Sequence, residues 1–168
     1  YVPVDQWPKK PVIYQINTYV WLNTLSRSLK RPVTLENVPD KILDELASYN
    51  IDSIWLMGIW QRSAAARASA HNYLHEYRGA LPDLTADDVP GSPYAVGSYQ
   101  VDDHFGGRTG LALFRQRLRK RGMQLILDFV PNHVSTDHAW IQTHPEYMIT
   151  GNAKDLKERP SDFFKTKD

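Results

Sequence analysis

The chain has 168 residues, 42% of them apolar and 23% charged, with a formal net charge of +1 and no Cys. Such a composition is that of an ordinary globular protein rather than a disordered one, it excludes a disulfide framework and thiolate chemistry, and it lacks the basic excess that broad binding to nucleic acid or to an acidic membrane demands. Five Trp and nine Tyr are many for this length, and aromatic rings usually pack in a core or line a ligand site.

The longest apolar stretches, such as Ile54 to Trp60, fall far short of the roughly 20 residues of a membrane span. Tyr1 to Pro11 lack a basic-then-apolar leader pattern. The chain therefore reads as soluble, with its compartment open. It begins at Tyr1 and stops at Lys167-Asp168, straight after Phe163-Phe164, and both ends read as cut.

Val12 to Asn17 is short, rich in β-branched and aromatic residues and preceded by Pro11, which predicts a strand. A polar connection is expected next. Pro39 to Tyr49 then places Pro and an acid in a first helical turn, with Ile42, Leu43, Leu46 and Ala47 on one stripe. Ile51 to Met57 is a second strand, apolar enough to be buried on both faces of a parallel sheet.

Roughly fifty residues follow that are too rich in Pro and Gly for a routine connection, which marks a functional loop. Within it the Ala-rich Ser63 to Ala70 is either helical or mobile. From Thr109 as N-cap, Leu111, Phe114 and Leu118 predict a helix that Gly122 closes. Met123 to Phe129 is a third strand, bounded by Pro131. Residues 135–168 read as an excursion with partial helix, so that 1–134 form one unit and 135–168 the start of another.

The alternation of strand and helix calls for an α/β fold with a parallel sheet and right-handed crossovers. Three motifs stand in order along it. Val12-Ile13-Tyr14-Gln15-Ile16, followed by Asn17-Thr18-Tyr19, is the first. Ile51 to Trp60, with the later Gly91-Ser92-Pro93-Tyr94-Ala95-Val96-Gly97-Ser98-Tyr99 through Phe105-Gly106-Gly107, is the second. Asp128-Phe129-Val130-Pro131-Asn132-His133, an Asp-x-x-x-Asn-His pattern, is the third. Together they resemble the α-amylase family of glycoside hydrolases and transglycosidases from about Pro11 to His133, with weaker similarity through Tyr147.

The resemblance implies a partial TIM (β/α)8 barrel: about the first three βα units, a long loop on the C-terminal rim where barrel active sites form, and the start of an inserted subdomain. It also implies an enzyme of α-glucosidic bonds that retains configuration, using an Asp nucleophile and a Glu acid/base roughly 5 Å apart. In the family these two carboxylates, and a third that stabilises the transition state, lie on strands four, five and seven. They are expected beyond residue 168, so the fragment alone is expected to be inert.

Residue by residue, the resemblance gives His133 a hydrogen bond to the sugar at the cleavage subsite, against the bland reading of a polar loop residue. Asp128 would organise hydrogen bonds around that subsite, or be solvated or ion-paired. Tyr94 would stack on the pyranose ring, or pack on the rim. Asn132 would give one oxygen to a structural calcium found in many members, or cap a turn; no other cofactor is expected. The family often has Asp before the second Tyr, where this chain has Ser98 before Tyr99, which leaves the substrate subtype open. Trp55, inside a strand, reads as core rather than as a sugar platform with Trp21 and Trp60.

The basic run Arg115, Arg117, Arg119, Lys120 and Arg121 reads as a solvated helix face whose cations complement the helix dipole, not as a nucleic-acid site. The expected partner is an α-glucan, an oligosaccharide or a small α-glucoside, with neither nucleic acid nor membrane, and the oligomeric state is open. The alternative is an amylase-like module without chemistry that binds sugar or assembles with protein.

Overall fold

The computed structural model describes residues 7–166, and the readings of residues 1–6 and of Lys167-Asp168 fall outside them. Strand β1 (Ile13–Asn17) runs straight into helix α1 (Thr18–Leu29). Asn17 ends the strand and caps the helix, its side chain accepting from the Val20 amide at 3.3 Å. A helix here corrects the expected polar connection. Its hydroxyls turn back on the helix itself: Thr24 donates to the Val20 carbonyl and Ser26 to that of Leu22, both at 2.8 Å.

Helix α2 (Asp40–Ser48) buries Leu43 and Leu46 as its stripe predicts, and strand β2 (Ser53–Met57) follows. The long connection is folded. Strand β3 (Trp60–Arg62), helices α3 (Ala64–His71) and α4 (Leu74–Ala80), and strand β4 (Val96–Val101) lie within it. The strands β3 and β4 pair antiparallel, with Gln61 opposite Ser98. The Ala-rich stretch is helical because Ser63 caps α3, accepting from the Ala66 amide at 2.9 Å.

Helix α5 (Gly107–Arg119) starts two residues before Thr109, behind Gly106 and without a side-chain cap, which corrects the expected N-cap. Gly122 does close it: with φ at 77° it lets the Met123 amide return to the Leu118 carbonyl at 3.1 Å. Strand β5 (Gln124–Leu127) ends before Phe129, which lies beyond it 77% exposed. The short helices α6 (Trp140–Thr143) and α7 (Ala153–Glu158) belong to the segment after Ser135.

The strands β1, β2 and β5 form one parallel sheet in the order β1-β2-β5, in register Ile16–Leu56–Leu127 on one face and Gln15–Trp55–Ile126 on the other. Ile54 and Leu56 on the first face are fully buried against Leu22, Leu43, Phe114 and Leu118, so the helices seal that side. The central position of β2 follows from its apolar run. At the β1 edge Val12, Ile13 and Tyr14 are each about half exposed.

The basic run is not simply a solvated face. Arg117 pairs with Asp40 at 2.9 Å, and Arg121 with Asp40 at 2.8 Å and Asp44 at 2.6 Å; both arginine side chains are largely covered, and Arg117 also donates to the Val38 carbonyl. These two arginines clasp α5 to α2. Arg115, Arg119 and Lys120 remain exposed. Among the described residues no helix is long and apolar enough to cross a membrane.

Candidate functional site

The end of β5 delivers Asp128 to a position where three residues of the stretch from β2 into β3 meet it. The Trp55 indole N–H donates to its Oδ1 at 2.8 Å and the Gly58 amide to its Oδ2 at 2.6 Å, while the Trp60 indole N–H takes its backbone carbonyl at 2.9 Å. Only 9% of Asp128 is exposed. A buried carboxylate needs such partners, and bonds from N–H groups to an ionised oxygen are among the stronger ones. Trp55 is thus half-buried and bonded to Asp128, which corrects its reading as core.

Gly58 is required where it stands. Its φ is 74°, a region that side chains rarely adopt, and a Cβ on it would sit 2.5 Å from the Cβ of Pro93. The close approach of the two turns brings Tyr94 to the same place. Burial first, and then the Asp128 carboxylate, push the Tyr94 phenol above its ordinary pKa.

His133 lies within the same cluster. Its Nε2 is 3.1 Å from the Tyr94 carbonyl, which can only accept, so Nε2 carries the proton and the free Nδ1 faces the Asn132 amide nitrogen at 3.5 Å. The structure therefore brings Tyr94, Asp128, Asn132 and His133 together. In this arrangement the His133 proton is given to the Tyr94 backbone. No group of three or more His, Asp or Glu side chains that could hold a metal occurs among the described residues, and Asn132 carries a side-chain oxygen of the kind that hard cations take.

Two further contacts hold the rim that the sequence did not assign. The Tyr99 hydroxyl donates to the Val130 carbonyl at 3.1 Å and accepts from the Val130 amide at 2.9 Å, and its ring meets Trp60 edge to face at 5.4 Å. Ser98 donates to Gln61 across the β3–β4 pair at 2.7 Å. For the indole bonds to Asp128 the available signal was a pair of Trp flanking a strand-end Gly, because a half-buried indole N–H seeks an acceptor.

The segment after His133 returns over the rim and is fixed by polar bonds. The Ser135 hydroxyl donates to the Val96 carbonyl at 2.9 Å. Asp137 accepts from the Ser63 hydroxyl at 2.6 Å and the Ala65 amide at 3.0 Å. Burial alone would raise the Asp137 pKa, but these bonds, with help from Ser135, outweigh it and hold the carboxyl at about 2. Between this segment and the Asn132–His133 turn lies a cavity of about 930 Å³ whose walls include Trp140, Tyr147, Phe163 and Phe164. Its size is that of a small-molecule site, with aromatic walls and a few polar groups.

The family model for the catalytic domain of α-amylase matches residues 34–168. The oligo-1,6-glucosidase of Heyndrickxia coagulans is 26% identical over 138 residues, covering 82% of this chain and 20% of that protein. The human amino acid transporter heavy chain SLC3A1 is 26% identical over 108 residues, 64% of this chain and 12% of that one. Among solved structures, a maltogenic α-amylase from Thermotoga neapolitana superposes with a TM-score of 0.58 at 22% identity, covering 85% of this chain and 28% of the other. The chain spans about a fifth or less of the length of these curated relatives.

Proposed function

Because the chain belongs to the α-amylase family and folds as the first part of its (β/α)8 barrel, we propose that it supplies part of the substrate rim of a retaining enzyme acting on α-linked glucosides. The observation that carries this reading is the convergence of Tyr94, Asp128 and His133 at the strand ends, beside an aromatic-walled cavity. That rim is where barrel enzymes bind substrate.

In this reading the Tyr94 ring covers the apolar face of a pyranose, and Asp128, already held by Trp55 and Gly58, accepts from its hydroxyls with the lone pairs left over. His133 exchanges the Tyr94 carbonyl for a sugar oxygen. The carboxylates that break the bond belong to later strands, so the 168-residue chain by itself is inert. A calcium, where the whole protein holds one, takes Asn132 as one oxygen ligand, and no step here passes through it.

The test uses the full-length protein that carries this segment, assayed on maltose, isomaltose and short α-glucans. Hydrolysis or transfer with retained configuration is expected, with kcat/KM reduced about 100-fold or more in His133→Ala if its hydrogen bond forms in the transition state. Absence of turnover on every α-glucoside overturns the reading.

A second reading has one observation in its favour: a relative of similar identity is named as a transporter heavy chain. In that reading the chain is an amylase-like module for assembly or sugar binding. Binding of α-glucosides without turnover, or stable association with another protein through this segment, is its expected result.

A further inference from the structure

Beyond Gly58, whose amide holds Asp128, lies a second cleft of about 580 Å³ that the substrate rim does not use. Its walls include Tyr19, Arg62, Arg67, Asp87, Asp102 and His104. Arg62 is the centre of it. Its Nη1 donates to the Gly91 carbonyl at 2.8 Å, and its guanidinium lies 5.2 Å from the centre of the Tyr19 ring. Tyr19 is itself fixed, stacked on His104 at 5.1 Å and donating its hydroxyl to the Asp87 carbonyl at 3.0 Å.

Asp102 faces the same space. Its Oδ1 accepts from the His104 amide at 2.9 Å, as the cap of a short 3-10 turn. Burial weakens the hold of Arg62 on its proton and the Asp102 charge works against that loss, yet no ion pair joins the two side chains. A guanidinium has five N–H donors and a carboxylate about four acceptor sites. The contacts just given use one donor of Arg62 and one acceptor site of Asp102, and both residues line the cleft.

Two arginines and two aspartates make the wall neutral in sum, which disfavours a strongly charged ligand. Adjacent hydroxyls match it, because each accepts from a guanidinium and donates to a carboxylate. We propose that this cleft is a second saccharide site, in which Arg62 donates to and Asp102 accepts from hydroxyls of one pyranose while Tyr19 and His104 hold the two charges in place. Its lining shares no residue with the Tyr94–Asp128–His133 cluster, and it does not depend on the activity proposed for that cluster.

The experiment is calorimetric titration of the full-length protein with maltotriose, and separately with inorganic phosphate, in four forms: unaltered, His133→Ala, Arg62→Met and Asp102→Asn. Asparagine keeps the oxygen that caps the 3-10 turn, so Asp102→Asn leaves the local fold in place, and circular dichroism checks both cleft variants. Maltotriose binding that survives His133→Ala and weakens about tenfold or more in Arg62→Met and Asp102→Asn is expected, the size following from the loss of a charge-assisted hydrogen bond. Unchanged maltotriose affinity in both folded cleft variants overturns the proposal, as does Arg62-dependent binding of phosphate without binding of the sugar. Failure of the substrate-rim reading shows instead in His133→Ala and in the turnover assay.

Discussion

The sheet with its helices and the rim above it are held by different physics. In the first, Ile54, Leu56, Leu43, Phe114 and Leu118 are all fully buried, and the energy is that of apolar area removed from water. In the second, single polar bonds recur: Asp128 to Trp55 and Gly58, Tyr99 to Val130, Ser135 to Val96 and Asp137 to Ser63. A dry core resists any loss of volume. A rim built on directional bonds can be opened one bond at a time, which suits a surface that must admit a ligand.

The sharpest break of this contrast is a deletion in the core. Phe114→Ala is expected to cost about 3–5 kcal/mol, since a fully buried ring leaves a cavity that the packed helices cannot close. Urea denaturation of the full-length protein measures it. Ile126→Ala, on the sheet face that the helices leave open, should cost clearly less because that side chain is still partly hydrated. Equal losses would show that the two faces are not different in kind. The open face and the β1 edge also predict that the 168-residue chain by itself self-associates. A monodisperse, cooperatively unfolding monomer in sedimentation and thermal melting would refute that.

Between core and rim sits Gly58. Gly58→Ala drives a Cβ to 2.5 Å from Pro93 and demands a positive φ, a strain of about 1–3 kcal/mol. The turn carrying Tyr94 must move, so a larger fractional loss in saccharide affinity than in global stability is expected. A variant that binds as before while melting at a lower temperature would place Gly58 with the core instead.

How much of this was legible follows the same division. The strands β1, β2 and β5 and the helices α2 and α5 were readable because burial imposes a pattern on the sequence, and in the helices Leu43, Leu46, Phe114 and Leu118 keep its period. The helix α1 was hidden because Thr24 and Ser26 look like loop residues until their hydroxyls are seen on helix carbonyls. The β3–β4 hairpin is three residues long on one side and irregular in register, too short for alternation to show. Asp128 and His133 came from a motif, but their partners did not. The Trp55 indole that reaches Asp128 is 73 residues away in sequence, and the Tyr94 carbonyl that orients His133 is a backbone atom that no residue type announces.

The smallest effect expected is also the most local, and it concerns Asp137. Its carboxyl is held at about 2 in the folded protein, well below the ordinary value near 3.8. A depressed acid contributes stability that is complete above the unfolded pKa and is lost as the pH falls through the folded one. The Ser63–Asp137 contact should therefore be intact at neutral pH and weaken as the pH falls from about 4 towards 2, the folded value. Asp137 joins the segment after His133 to the cap of α3, and that segment carries Trp140. Trp140 fluorescence, isolated by replacing the other tryptophans with Phe one at a time, should change in this window before the core unfolds. In Asp137→Asn the early change should be absent and its end state present already at neutral pH, because the amide cannot restore the charge that Ser63 and the Ala65 amide bind. If Trp140 instead reports only the global unfolding step in both proteins, the segment is fixed by its apolar wall rather than by Asp137, and the contrast between core and rim fails at this point.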